Sequence, residues 1–274
     1  MRFRCRVAIA LICCLLPIAT LAQNQPASTV RTLLAAGRVG SVVETPLAFR
    51  LLSVRLPSTQ RASYSGPNAM LYALSGGLGV EVGGNSQPLG ESGGAFIPGG
   101  QAAIFSASGS EPANFLLFVL SPVADVQKPL VGPPAMVEEL YRSPEPLPGL
   151  QAGPYEFSLT RVSFPPSMPA NPPHYRSGDV LYFVAAGSGT FIADGRSEPR
   201  SAGVPHFERA GWVHQWANPG TTPLVLIQAN ISQEGVPAVL AAVVNNTAVI
   251  RGRHRRAAMR LARSSSPAPS RFSG

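Results

Sequence analysis

Two stretches of this 274-residue chain repeat one another, and a repeat of that size sets the fold before any single residue does. Val54-Arg55-Leu56-Pro57 answers Val162-Ser163-Phe164-Pro165, and the nine residues from Leu71 to Gly79 answer those from Leu181 to Gly189. Ile97-Pro98-Gly99-Gly100 then matches Arg209-Ala210-Gly211, and Phe115 to Ser121 matches Val225 to Ser232. Each copy is a series of short β-prone runs, such as AMLYAL, FLLFVL, DVLYFV and PLVLIQA, punctuated by Gly, Pro, Asn and Ser. Short strands at close, regular spacing predict sandwiches or barrels, and each copy is long enough to close a jelly roll of its own. The expectation is an all-β chain of two tandem jelly-roll barrels, the first over residues 40–122 and the second over 154–233. A linker over 123–153 carries one short helical candidate, Ala135 to Tyr141. A second candidate, Pro237 to Val244, predicts a terminal helix within 234–250.

The ends of the chain differ from its body. Arg2, Arg4 and Arg6 precede the apolar run Val7 to Ala19, with small residues after it, which is the layout of a cleaved secretory signal over residues 1–22, cut near Ala22. Secretion or a periplasmic location is therefore expected. Cys5, Cys13 and Cys14 are the only cysteines and all fall in this segment, so the processed chain would hold no disulfide and no thiolate site. The formal charge of +8 also lies at the ends. The leader holds three Arg and the stretch after Ile250 seven, which leaves 12 basic against 14 acidic residues in between. With no basic patch in the body, nucleic acid is not an expected partner. The Arg-, Ser- and Pro-rich tail over 251–274 reads as a disordered end, with weak contact to an anionic surface as the alternative.

The second copy carries the chemistry. Gly203, Gly211, His214 and Asn218 fall on the pattern G-x5-P-x-G-x2-H-x3-N, with Arg209 in the proline position. Upstream, His174 and Gly187 fall on G-x5-H-x-H-x3-E-x6-G, with Arg176 in the second His position and Val180 in that of the Glu. These two motifs, in this order, resemble those of the cupin superfamily, and the resemblance covers both barrels. It implies that these side chains point into a barrel, and that a cupin of the usual kind would hold a divalent transition metal there. In the first copy the equivalent positions are Tyr64, Gly66, Met70 and Ala103, which offer no imidazole and no carboxylate. That half is read as structural, or as a dimerising module that would make the protein a homodimer.

Side chains alternate along a strand, so His174 shares a face with Arg176, Val180 with Tyr182, and His214 with Trp216. His206 and Glu208 share another, and Glu208 is near enough to stand in for the missing carboxylate. Three readings follow. In the leading one, His174, Arg176, Tyr182, Glu208, His214 and Trp216 bind a small polar or anionic molecule, with Trp212 at the mouth. The second is a metal-dependent enzyme of dioxygenase or isomerase type that uses His174, His214 and Glu208 as a two-His-one-carboxylate set. In the third the barrels serve only structure or pairing. His206 reads as a hydrogen-bonded barrel residue, and Arg176 as the partner of Asp179 or Glu208.

Overall fold

Alternation in the short runs, and continuous apolarity in the long ones, yields nineteen strands among the residues described by the computed structural model, 28–40, 45–143, 146–148 and 150–243. The leader and the tail, with the expectations placed on them, lie outside these residues. The strands are β1 (Val30–Val39), β2 (Leu47–Leu56), β3 (Arg61–Tyr64), β4 (Ala69–Ser75), β5 (Gly77–Val82), β6 (Asn85–Leu89), β7 (Gly94–Ile97), β8 (Ala103–Ser108), β9 (Ala113–Pro122) and β10 (Met136–Arg142). They continue as β11 (Tyr155–Phe164), β12 (His174–Arg176), β13 (Val180–Ala186), β14 (Ser188–Ala193), β15 (Arg196–Ser201), β16 (Pro205–Glu208), β17 (His214–Ala217), β18 (Leu224–Gln233) and β19 (Val239–Ala241).

Four antiparallel sheets result. The first barrel closes between β10-β2-β9-β4-β7 and β3-β8-β5-β6, and the second between β1-β11-β18-β13-β16 and β15-β14-β17-β12-β19. The two tandem jelly rolls expected from the repeat are present. Strand by strand they match: β2, β9, β4 and β7 occupy the places that β11, β18, β13 and β16 occupy in the second. In each barrel the sheet that faces the other barrel takes its outermost strand from elsewhere in the chain. β1, ahead of the first barrel, pairs with β11 of the second, while β10, between the barrels, pairs with β2 of the first. Both otherwise open sheet edges are thereby covered.

Two sequence expectations are corrected here. Ala135 to Tyr141 was expected to be helical, yet Met136–Arg142 is strand β10. Met, Glu and Leu are good helix formers, but the free edge of β2 offers a full ladder, and tertiary pairing outweighs propensities of a few tenths of a kcal/mol per residue. Glu139 fixes the pairing, 2.7 Å from Arg50 Nε and 2.7 Å from Arg142 Nε. Likewise the candidate terminal helix contains β19, which lies along β12 with His174 opposite Ala241 and Arg176 opposite Val239. The remainder of that candidate, from Val244, lies outside the described residues.

The long strands are buried on both faces because each of the two sheets that face one another across the barrels has a core on either side. Leu52, Val54, Leu71, Leu117 and Val119 fill the first barrel, and Val162, Val180, Val184, Leu224 and Leu226 the second. The alternate residues Phe49, Leu51, Met70, Leu116 and Phe118 meet Phe157, Leu159, Leu181, Ile227 and Ile231 in a third core between the barrels. This explains the uninterrupted apolar runs.

It also fixes the register of the repeat. Ala69 pairs with Val119 and Ile97, as Val180 pairs with Asn230 and Glu208. Ala69, not Met70, is therefore the counterpart of Val180, and Met70 lies between the barrels. The sequence alignment was one residue late because Gly76 and Gly77 both suit a turn. The structure puts the left-handed residue at Gly76 (φ 77°) and at Gly187 (φ 73°). At both, a Cβ would fall within 2.4 Å of the carbonyl oxygen of a proline, Pro112 or Pro223.

Candidate functional site

In the second barrel the register brings the motif residues together. His174 on β12 lies directly opposite His214 on β17, and their rings are 4.4 Å apart. Arg176, two residues on, turns the same way and donates from Nε and Nη2 to the Tyr182 hydroxyl at 3.1 and 2.7 Å. β13 and β16 pair Tyr182 with His206 and Val180 with Glu208, so all four face the same interior. The position that holds Val180 is thus compensated from the neighbouring strand. Arg176 is 2% exposed and Glu208 not at all. In the first barrel the same places are held by Tyr64, Ala69, Ile97 and Ala103, all buried in an apolar cluster.

Glu208 is the centre of the polar network. Its Oε1 accepts from Trp216 Nε1 at 3.1 Å, and the Tyr182 hydroxyl is near enough to favour the charged form of the same carboxyl. Arg176 Nε stands 3.8 Å from Oε2, so of the two acids considered as partners Glu208 is the nearer charge. Asp179 is occupied elsewhere, accepting the Ala210 N–H at 2.8 Å. Burial raises the Glu208 carboxyl to about 7, against the opposing pull of Arg176 and its hydrogen bonds. Its neutral form is therefore favoured well above the ordinary carboxylate range.

The imidazoles are driven the other way. Burial holds His214 down to about 3 and His206 to about 4, with Arg200 adding to the effect on His206. His174 is lowered too, first by burial and then by Arg176 and Arg31. A carbonyl can only accept, so the Nδ1 contacts of His174 with Pro172 O (3.0 Å) and of His214 with Trp212 O (2.8 Å) place the proton on Nδ1. Their Nε2 atoms are then bare lone pairs. His214 Nε2 lies 3.1 Å from Glu208 Oε2, and neither atom has a hydrogen bond in line. Two acceptors at that distance repel unless a proton or cation lies between them. The protonated form of Glu208 supplies such a proton. His206 Nε2, 4.0 Å from Glu208 Oε1, is also buried without a partner. His206 thus belongs to the network rather than being the satisfied barrel residue expected from sequence.

Three contributors were not foreseen. Arg31, on β1, reaches the second barrel and donates from Nη2 to Gln228 Oε1 at 2.9 Å. Its guanidinium is within electrostatic range of Arg176, Tyr182 and Glu208. Gln228 sits opposite Tyr182 on β18, where Gln228, Asn230 and Ser232 form a period-two polar stripe inside an apolar run. That stripe was a readable signal. Arg31 was not, because its strand precedes the repeat. The third is Phe191, whose ring packs 4.4 Å from His206, 5.5 Å from His214 and 5.2 Å from Trp212. Trp216 is 1% exposed and fills the interior, whereas Trp212 lies nearer the surface and donates to Asp194 at 3.1 Å.

The residues present do not fit a metal ion of the kind the resemblance implies. His174, His214 and Glu208 do come together. Yet among the described residues no group of three or more His, Cys, Asp or Glu side chains is arranged to hold one. The guanidinium of Arg176 also sits where a further imidazole would be needed, and a fixed cation there opposes a divalent one.

Comparison with known proteins agrees with the fold. No family model and no curated protein sequence matches the chain. Among solved structures, oxalate decarboxylase from Bacillus subtilis at pH 4.6 is similar at 15% identity, over 79% of this chain and 78% of that one, with a TM-score of 0.52. A mutant of the same enzyme matches at 16% identity over the same shares, with a TM-score of 0.54. A structure of it described in terms of its Mn(II) centres matches at 14% over 82% and 81%, at 0.51. At such identities the likeness speaks for architecture alone, and what is shared is the arrangement of two jelly-roll barrels in tandem.

Proposed function

We propose that the protein binds a small oxyanion, such as a short carboxylate, inside its second barrel. One observation carries this reading. Arg176 is a buried cation whose nearest acid, Glu208, is itself pushed up to about 7, so the interior holds a positive charge without a full counter-charge. An uncompensated buried charge costs several kcal/mol, and an anion bound by charge-assisted hydrogen bonds would remove that cost. Arg31 adds a second guanidinium on the side of His174, and Gln228 holds it there. The planar fork of an arginine matches a carboxylate in a way that an ammonium does not. Tyr182 orients Arg176 through two hydrogen bonds.

The secretory leader expected over residues 1–22 is what favours placement of this binding protein outside the cytoplasm. A second reading rests on the bare Nε2 of His214, 3.1 Å from Glu208 Oε2, two acceptors that a cation could join were Arg176 to move aside. It corresponds to the metal-dependent alternative on His174, His214 and Glu208. Isothermal titration of the mature chain with acetate and with oxalate, with and without a chelator, separates the two. Heat that survives the chelator and vanishes in Arg176→Met supports anion capture, and heat that appears only with added Mn(II) supports the second reading.

A further inference from the structure

A cavity of about 600 Å³ opens outside the barrels, between the segment that joins them and the edge of β16. Its volume is that of a small-molecule site. Tyr141, Pro146 and Pro148 form one wall, and Pro205 and Phe207 the other. The Tyr141 and Phe207 rings lie nearly parallel, 21° apart at 6.5 Å, so the walls present flat apolar surfaces.

The polar part of the lining is basic. Arg200 and Arg209 contribute to it, and none of its described lining residues is acidic. Arg200 meets Glu198 through Nη2 at 2.5 Å, which leaves its Nε buried and without a partner. Arg209 lies over the Trp212 ring at 5.9 Å and has no ion pair among the described residues. Arg200 is also among the charges that hold His206 down, so its field reaches this wall.

From this combination we infer a second binding site, for an organic anion with a flat apolar body, such as an aromatic carboxylate or sulfonate. The apolar body lies between Tyr141, Phe207 and the prolines, and the acid group lies against Arg200 and Arg209. Of its described lining residues only His206 also faces the barrel interior, and the acid group is held by Arg200 and Arg209 whatever that interior binds.

The probe is 8-anilinonaphthalene-1-sulfonate, with benzoate and its neutral isostere benzamide as competitors, on the mature chain. The expected result is one bound dye per chain, displaced by benzoate and not by benzamide, with affinity that falls as NaCl rises. Combined Arg200→Gln and Arg209→Gln should weaken binding at least tenfold while the melting temperature stays within a few degrees, and Arg176→Lys should leave it unchanged. Equal displacement by benzamide, no dependence on salt, or full-strength binding to the doubly substituted protein would overturn the inference. Should that variant fail to fold, the salt dependence and the benzamide comparison still decide.

Discussion

Glu208→Gln isolates the central carboxyl, because glutamine keeps an acceptor for Trp216 Nε1 while losing the charge. In the folded chain this carboxyl titrates at about 7, and its ordinary value is 4.5. A folded value raised above the unfolded one means that the native state holds the proton more tightly. The stability due to that proton is complete below pH 4.5 and is lost as pH rises through 7. Two and a half pH units correspond to about 3 kcal/mol. His206 and His214, with lowered values, contribute the opposite slope, losing stability as pH falls from 6.5 towards 4 and 3. Both imidazoles lie close to Glu208, His214 Nε2 at 3.1 Å and His206 Nε2 at 4.0 Å, so the two proteins are compared a second time in a His206→Gln, His214→Gln background, where that slope is absent. Urea midpoints for both proteins at half-unit steps from pH 4 to pH 9 are the assay. Relative to Glu208→Gln, the unsubstituted protein should lose about 3 kcal/mol between pH 4.5 and pH 8 and stay level beyond. A difference that is flat across the whole range would show that Glu208 is an ordinary ionised carboxylate, and the argument for an uncompensated Arg176 would fall with it.

Three further outcomes follow from the packing. Leu181 is fully buried between the barrels, so Leu181→Ala should cost about 2 to 5 kcal/mol in equilibrium unfolding, as large-to-small changes in cores do. Gly187→Ala meets both a positive φ and the Pro223 carbonyl, and a loss of at least about 1 kcal/mol is expected in the same assay. Removal of residues 23–39 takes β1 away and bares the edge of β11, so light scattering should show concentration-dependent self-association that the full mature chain does not show.

Much of the architecture was legible because alternation and continuous apolarity map directly onto faces of strands. Val180, Tyr182 and Val184 could be assigned to one face by counting in twos, and the structure puts all three in the second barrel. The partner of a strand edge was not legible. Met136–Arg142 and Val239–Ala241 have helix-forming composition, and only the vacant edges of β2 and β12 make strands of them. For the same reason Arg31 could not be placed in the site, since its approach depends on β1 crossing to the other barrel. The one-residue slip at Gly76 shows the limit of a pattern read on sequence alone: two adjacent glycines satisfy it equally, and only the left-handed backbone at Gly76 decides. At the site, His174, Arg176, Glu208 and His214 could be named in advance. What could not be read was the charge balance among them, because it comes from burial.

The most direct test of the central claim is the melting temperature of the mature chain across a series of acetate and oxalate concentrations, in the presence of a chelator, with Arg176→Lys alongside. Binding to the folded state alone raises stability with the logarithm of ligand excess. The account predicts such a rise for the unsubstituted protein, undiminished by the chelator, and a much smaller one for Arg176→Lys, which keeps the charge but not the fork. A protein that ignores both anions, or that carries stoichiometric transition metal lost on His214→Ala, would contradict it.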